Sequence, residues 1–387
     1  MRMRQILWRE LAQCRMDYRR FIFLFGAALA YLLIFGVLYS PNIVKHIPCV
    51  ICDEEGSQLS RSLVRGFEDS DSFQVTEYAD TPEAMREALH EKRVYAAVDI
   101  PQDFSKRIKT GDASTVLFMV NGSNIILTNI TTSAAQDILA DFSDKLAVRN
   151  AALRFGVNEQ LLTHRISPVS CHLRVLNNPK QGYTLFFLLG LAMVAFQQGI
   201  IFSAGASLQY EYAIKEERDP QAEEPAAVHR KSCWQLLLGK LVFYWVLSML
   251  SFVMVAYTAV YLWDIPFRAQ AGQLLLLGGV FCFTAIAFSF FAASLFHNEM
   301  QFVRAAIMYP VPAFIFSGYT WPQEAMGPAM QLISKFFPLS WFSNTVRELF
   351  LSGMASQYGT CLAVLALMGV VCLAVSGAVF RSRMRCV

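Results

Sequence analysis

The chain has 387 residues, of which 55% are apolar and only 16% are charged, and its formal net charge is +3. An average soluble protein carries about 25% charged residues, so this composition predicts a membrane protein. The small net charge, with no basic stripe, argues against a protein that binds nucleic acid.

The chain begins with a basic leader in which apolar residues recur at helical spacing. Leu7, Leu11 and Cys14 alternate with arginines, which predicts an amphipathic helix within residues 1–20. Such a helix either lies on anionic lipid or also contacts a cytoplasmic partner. The apolar run of residues 21–40 is longer than the apolar core of a signal peptide, which has roughly 7–15 residues. It therefore predicts an uncleaved first span.

Residues 41–182 alternate strand and helix signals. Ile47–Asp53 has the composition of a strand, and Thr81 followed by Pro82 is typical of the start of a helix. Asn121, with the glycine after it, predicts a turn before a long helix. About 140 residues are enough to bury a core. The sequence therefore predicts an α/β domain inserted between the first and second spans.

The nine cysteines do not have the spacing of a metal framework. Cys49 and Cys52 form a C-x-x-C pair, but residues three apart on a strand point to opposite faces of the sheet. A shared redox or zinc site is therefore not predicted, and no residue is assigned to a metal. The acids of this region, such as Asp53 and Glu55, lack EF-hand spacing and are interpreted as a solvated surface.

Five further spans are predicted within residues 183–380, because a helix needs about 20 apolar residues to cross a bilayer. With six spans, both termini lie on one side. Arginines crowd residues 1–20 and the tail 381–387, and the positive-inside rule makes that side cytoplasmic. The loop 209–234 is then cytoplasmic and residues 41–182 are extracytoplasmic. The predicted later spans are residues 184–208, 236–262, 274–296, 302–319 and 361–380.

Residues 320–355 predict a re-entrant segment, since they are apolar but too short to cross a bilayer twice. Backbone of this kind is tolerated at membrane depth only where protein or a water-filled cavity covers it. The segment therefore indicates a transporter and not a simple anchor. The predicted fold is an α-helical polytopic membrane protein with six spans, a re-entrant segment between spans five and six, and an inserted α/β extracytoplasmic domain.

The sequence lacks the motifs of nucleotide hydrolysis and of common hydrolases. No G-x-x-x-x-G-K-[ST] loop occurs, and Gly239-Lys240 lacks both the upstream glycine and the following Ser or Thr. Neither H-E-x-x-H nor G-x-S-x-G is present. The chain is therefore predicted not to be an enzyme and not to hydrolyse nucleotide itself.

Five short motifs, taken together in their order and spacing, resemble one family. They are V-I-C-D-E-E at 50–55 with S-R-S-L at 60–63, V-D-I-P-Q-D-F-S at 98–105 before Gly111, N-G-S-N at 121–124, N-P at 178–179, and S-G-Y-T-W-P at 317–322 before Met326, Pro338, Arg347 and L-S-G at 351–353. This pattern resembles the permease subunits of ABC exporters of the type-2 membrane class, in the branch with a large extracytoplasmic domain after the first span.

The resemblance implies the permease of an ATP-driven exporter in the bacterial inner membrane. Two permeases, identical or similar, would pair with two ATPase subunits that bind ATP and Mg²⁺, so the chain itself would carry no cofactor. The lipid membrane and a periplasmic adaptor are further implied partners, and the implied substrates are hydrophobic or amphipathic, such as drugs or lipid-like compounds. The loop after the second span corresponds to the family's ATPase-coupling helix, without its Gly-Thr. The coupling candidates there are Glu211, Lys215, Glu216, Glu217 and Arg218.

Four residues inside the spans are candidates for a translocation path or gate. Gln197 and Gln198 lie in the middle of the second span, where they either bond across helices or line the path. Pro310 and Pro312 must break or bend the fifth span. Such a kink either forms a gate or only shapes the helix.

The re-entrant region supplies three more path candidates. Arg347 and Glu348 are ionisable residues in an apolar segment, and such residues at membrane depth face a cavity or a partner. If the segment lies near the external surface, both are simply solvated. Asn344 and Glu348 are four residues apart and would share one face of a helix.

A membrane-anchored recognition or assembly protein is the alternative function. It would use the α/β domain to recognise a ligand and the spans only as a scaffold. A neighbouring gene for an ATPase with a phosphate-binding loop would favour the permease, and failure to capture an ATPase would favour the alternative.

Overall fold

The computed structural model of the protein describes residues 3–40, 44–110, 112–155, 182, 184–216 and 230–384. The chain divides into two units, a helical unit made of Met1–Asn42 and Val175–Val387, and an α/β unit made of Ile43–Arg174. The strand signals of residues 41–182 also predict a last strand near residues 172–176, which lies outside the described residues. The described elements, in chain order, are α1 (Met3–Met16), α2 (Arg19–Leu38), β1 (Ile47–Asp53), α3 (Gln58–Glu68), β2 (Phe73–Ala79), α4 (Pro82–His90), β3 (Ala96–Ile100), α5 (Phe104–Thr110), β4 (Leu117–Val120), α6 (Ile125–Phe155), α7 (Leu189–Glu216, after a π-helical turn at Thr184–Leu188), α8 (Arg230–Trp263), α9 (Ala271–Leu295), α10 (Glu299–Met308), α11 (Pro310–Phe316), α12 (Pro328–Ser334), α13 (Pro338–Ser352) and α14 (Tyr358–Met384).

The α/β unit is built on a four-stranded sheet with the order β2-β1-β3-β4. β1 runs parallel to both β2 and β3, whereas β4 is antiparallel to β3. Helix α4 begins as predicted, because the Thr81 hydroxyl accepts a hydrogen bond from the Ala84 N–H at 3.2 Å. The sheet and helices of this unit therefore follow from local signals in the sequence.

The two faces of this sheet bury separate cores. Cys49 packs with Leu63 and Phe67 of α3 on one face, and Cys52 packs with Met85 of α4 on the other. The prediction that the two thiols point apart is confirmed.

The acids at the end of β1 and just after it make hydrogen bonds near the starts of two helices and are not only a solvated surface. The Asp53 carboxylate accepts hydrogen bonds from the Gly56 N–H at 2.9 Å and from the Ser60 hydroxyl at 2.7 Å. The Glu55 carboxylate accepts from the N–H of Ser105, in the first turn of α5, at 2.9 Å. A carboxylate in the first turn satisfies N–H groups that have no partner within the helix.

The helical unit contains five described helices that are long and apolar enough to cross a membrane: Arg19–Leu38, Thr184–Ile214, Cys233–Trp263, Ala271–Leu295 and Tyr358–Met384. The prediction of a helical membrane protein is confirmed. Helices α7 and α9 are the most enclosed of these five. The Thr284 hydroxyl donates to the Leu365 carbonyl of α14 at 2.7 Å, and the Ser289 hydroxyl donates to the Ile201 carbonyl of α7, also at 2.7 Å. Hydrogen bonds of this kind hold helices together where lipid offers no hydrophobic driving force.

The segment predicted as the fifth span, residues 302–319, is not one continuous helix. It consists of α10, which ends at Met308, and α11, which begins at Pro310. Proline has no N–H and its ring clashes with the preceding turn, so a break at this point is the expected result. A turn at Gly318, where φ is +88°, precedes the predicted re-entrant region, which contains the helices α12 and α13.

Candidate functional site

Helix α1 contacts α7 and α8 through charged side chains that are buried. The Lys240 ammonium and the Glu10 carboxylate form an ion pair, and both side chains are 0% exposed. The ammonium also donates to the Ser207 hydroxyl at 2.8 Å and lies 3.0 Å from the Glu211 carboxylate. The Glu211 carboxylate is paired in turn with Arg9. Arg9, Glu10, Ser207, Glu211 and Lys240 are called the ionic cluster below.

The ionic cluster is electrically balanced, with two acids and two bases. Buried charges are tolerated when they are paired and their remaining hydrogen-bonding atoms are satisfied. Ser207 helps to meet this requirement, because its hydroxyl donates to the second oxygen of Glu10 at 2.9 Å. The arrangement fixes α1 against two membrane helices at once.

Sequence reasoning missed Glu10 and Lys240, although a signal for Glu10 was present. Ile6, Glu10 and Cys14 are spaced by four and are all buried, so Glu10 is a charge on the apolar stripe of α1. The Gly239-Lys240 pair has a structural role here. A Cβ at Gly239 would lie 2.6 Å from the Ile6 side chain, so the glycine allows α1 to come close enough for Lys240 to reach Glu10.

The predicted coupling residues divide between the ionic cluster and the chain beyond it. Glu211 is buried, with 5% exposure, so it is held inside the protein and not presented at the surface. Lys215 and Glu216 end α7, and their side chains lie outside the described residues, as do Glu217 and Arg218 entirely. The structure therefore connects the start of the predicted coupling loop to α1 and α8 through Glu211.

Gln197 and Gln198 bridge α7 to the broken helix. The Gln198 amide donates to the Ala306 carbonyl at 2.7 Å. In a continuous helix that carbonyl would accept from the N–H of residue 310, which is proline and has none. The Gln197 amide donates to the Tyr309 hydroxyl at 3.0 Å. Both glutamines thus bond across helices, one of the two roles predicted, and their side-chain oxygens are buried without a hydrogen-bond partner in the described part of the chain.

Arg347 and Asn344 come together at the turn after α11. The Arg347 guanidinium lies 4.6 Å from the centre of the Tyr319 ring and 5.6 Å from that of Phe186, a cation–π geometry. It also donates to the Asn344 side-chain oxygen at 3.1 Å, and the Asn344 amide donates to the Ser317 carbonyl at 3.0 Å. Arg347 therefore contacts both the π-helical turn that precedes α7 and the turn after α11.

Glu348 does not join this group, although it shares a helix face with Asn344 in the sequence pattern. Its carboxylate accepts hydrogen bonds from the Ser356 N–H at 2.8 Å and from the Ser356 hydroxyl at 3.2 Å. Glu348 thus stabilises the connection that leads from α13 to α14.

Long apolar helices with buried polar contacts between them define a polytopic membrane protein. The chain belongs to the ABC-2 family of transporter proteins, whose family model matches residues 19–378. It is 20% identical over 310 residues to the probable multidrug ABC transporter permease YbhR of Escherichia coli K12. The matched region covers 80% of this chain and 78% of the relative. It is 22% identical over 120 residues to the probable multidrug ABC transporter permease YbhS of the same organism. This second match covers 31% of this chain and 32% of the relative.

These similarities confirm the family expected from the motifs. The chain is a multi-pass ABC transporter permease, the membrane component of a transporter and not itself the enzyme. Membership of the family implies partnership with an ABC ATPase.

Proposed function

We propose that this permease exports a hydrophobic or amphipathic compound, drug-like or lipid-like, across the bacterial inner membrane. The observation that carries the proposal is the break between α10 and α11, whose free carbonyl is taken up by Gln198 inside the bundle. Interrupted backbone at membrane depth is tolerated where protein or a water-filled cavity covers it. The multidrug names of the two relatives favour export of such a compound.

The proposed assembly pairs this chain with a second permease, identical or similar, and with two ATPase subunits that hold ATP and Mg²⁺. Both termini lie in the cytoplasm, as the arginines of α1 and of the end of α14 favour. Residues 41–182 then face the periplasm, where an adaptor is a further candidate partner. In this arrangement α10 and α11 together make the fifth of six crossings, and residues 320–355 form the re-entrant segment before the sixth.

In the proposed mechanism, the ATPase acts on the loop 209–234 and the ionic cluster transmits the movement. Glu211 lies in the last turns of α7, just before Glu216 and Glu217, and it is paired with both Arg9 and Lys240. A shift of the loop would therefore move α1 and α8 together with α7. The path candidates Gln197 and Gln198 lie on the same α7, so the movement reaches the broken helix.

The proposal is tested with vesicles that contain the chain alone or the chain with its ATPase. The complex is expected to move a fluorescent lipid or a drug only with ATP, and its ATP hydrolysis should rise with substrate. The chain alone is expected neither to move the compound nor to hydrolyse ATP. Flux without nucleotide would contradict the proposal, and a chain that cannot be crosslinked to any ATPase would support the recognition or assembly function instead.

Reversing two charges of the loop, by Glu216→Lys and Glu217→Lys, is expected to reduce substrate-stimulated ATP hydrolysis by the complex several-fold. Truncating or reversing charged contacts at an interface typically costs a few kcal/mol, or about tenfold or more in affinity. Asp144→Lys, at an exposed acid of α6, is the control and should leave hydrolysis unchanged. If the loop variant is expressed normally and hydrolyses ATP like the wild type, this loop does not contact the ATPase through these acids.

A further inference from the structure

Three metal-ligating side chains converge at the carboxyl ends of β1 and β3. Cys52 and Asp99 are directly opposite each other in the parallel register of the two strands. Glu54 follows β1 and is held in place by its N–H, which donates to the Ile100 carbonyl at 3.1 Å. The Cys52 sulfur and one carboxylate oxygen each from Glu54 and Asp99 lie within 4.8 Å of one another.

Two of these residues each have a buried atom without a hydrogen-bond partner in the described part of the chain. The Cys52 side chain is 0% exposed, and its thiol makes no hydrogen bond with any described residue. The Oδ1 atom of Asp99 is buried and likewise has no hydrogen-bond partner within the described ranges. More than about 90% of buried polar atoms in proteins are paired. The unpaired oxygen therefore indicates a missing partner, and it belongs to a carboxylate that lies within 4.8 Å of the Cys52 sulfur.

The charge around this point favours a cation. The charges of Glu54, Asp53 and Asp80, together with that of Asp99, all act on the Cys52 thiol. Arg86 partly offsets this field at Asp99, but it forms no ion pair with Asp99 in the described part of the chain.

The three side chains lie at the position where open α/β sheets usually bind ligands. In the order β2-β1-β3, the chain leaves β1 for one edge of the sheet and later returns past it to form β3. The carboxyl ends of parallel strands at such a reversal flank a crevice, which is the usual ligand position in these sheets. Cys52, Glu54 and Asp99 stand at that position.

We propose that Cys52, Glu54 and Asp99 bind Zn²⁺, with water completing a tetrahedral site. Zinc accepts thiolate and carboxylate ligands together and takes a water where three protein ligands leave a position open. Calcium and magnesium take oxygen ligands, so the sulfur of Cys52 selects against them. On binding, the Cys52 thiol releases its proton to solvent and becomes the thiolate ligand.

The site is tested on the full-length protein in detergent, stripped with chelator and titrated with Zn²⁺ or Co²⁺. The wild type is expected to bind one Zn²⁺ at this site, and Co²⁺ should give a thiolate charge-transfer band. Cys52→Ser and Asp99→Asn should each weaken binding by more than about tenfold, since loss of even an outer-shell partner has an effect of that size. Cys49→Ser is the matched control, because Cys49 is equally buried on the same strand but faces the opposite core.

Three outcomes would overturn the proposal: no Zn²⁺ bound by the wild type, equal binding by Cys52→Ser, or displacement of Zn²⁺ by a modest excess of Mg²⁺. Unfolding temperature separates binding from folding. Zn²⁺ should raise it for the wild type and for Cys49→Ser but not for Cys52→Ser. If Cys52→Ser does not fold, Asp99→Asn carries the test, since it keeps the volume of the side chain and removes its charge.

Discussion

Replacing Lys240 by methionine is expected to lower the free energy of unfolding by about 3–5 kcal/mol, the usual cost of breaking a buried ion pair by removing one partner. The substitution keeps the volume of the side chain but leaves Glu10 buried with only the Ser207 hydroxyl as a described partner. Glu211 loses one of its two cations. Thermal or denaturant unfolding of the purified protein in detergent measures the effect.

A double-mutant cycle identifies the cause of that loss. The double variant Lys240→Met/Glu10→Gln should lose less unfolding free energy than the sum of the losses of the two single variants. The reason is that no unpaired carboxylate remains at position 10. Lys335→Met is the control, since Lys335 is exposed, and it should change stability by less than about 0.5 kcal/mol. Strictly additive single effects would show that the Glu10–Lys240 pair does not hold α1 in place.

Replacing Gln198 by leucine is expected to lower the free energy of unfolding by about 1–3 kcal/mol and to slow transport. The reason is that the Ala306 carbonyl loses its hydrogen-bond donor inside the bundle, and an unsatisfied buried acceptor costs that much. The cost should fall in a Pro310→Ala background, because residue 310 then has an N–H that can reach the same carbonyl. Unfolding in detergent and transport by the complex are the two measurements.

Gln197 provides the matched comparison for this cycle. Its amide bonds to the Tyr309 hydroxyl and not to the backbone, so Gln197→Leu should cost the same in the wild type and in the Pro310→Ala background. If Gln198→Leu also costs as much in the Pro310→Ala background as in the wild type, the glutamine does not replace the missing helical hydrogen bond.

Features that depend on neighbouring residues could be predicted from the sequence. The start of α4 at Thr81 and Pro82, the strand at Ile47–Asp53 and the break at Pro310 all follow from the residues concerned and those next to them. The opposite orientation of Cys49 and Cys52 follows from the alternation of side chains along a strand. In each case the physical cause acts within a few residues.

Contacts between distant residues could not be predicted in this way. Lys240 and Glu10 are 230 residues apart, and Gln198 and Ala306 are 108 apart. No periodicity in either segment identifies its partner, since the partner is fixed only when the helices pack. The three-ligand group around Cys52 was missed for the same reason, because its third member, Asp99, comes from a different strand.

The balance of charge in the ionic cluster has a consequence for how the leader can move. If α1 moved only part of the way out of its site, Glu10 and Lys240 would be separated while both were still buried. That state has a higher free energy than the packed helix or a helix with its charges fully hydrated. Partial separation of α1 from α7 and α8 is therefore disfavoured, and α1 is expected to move with these two helices as one body when the adjoining loop is displaced.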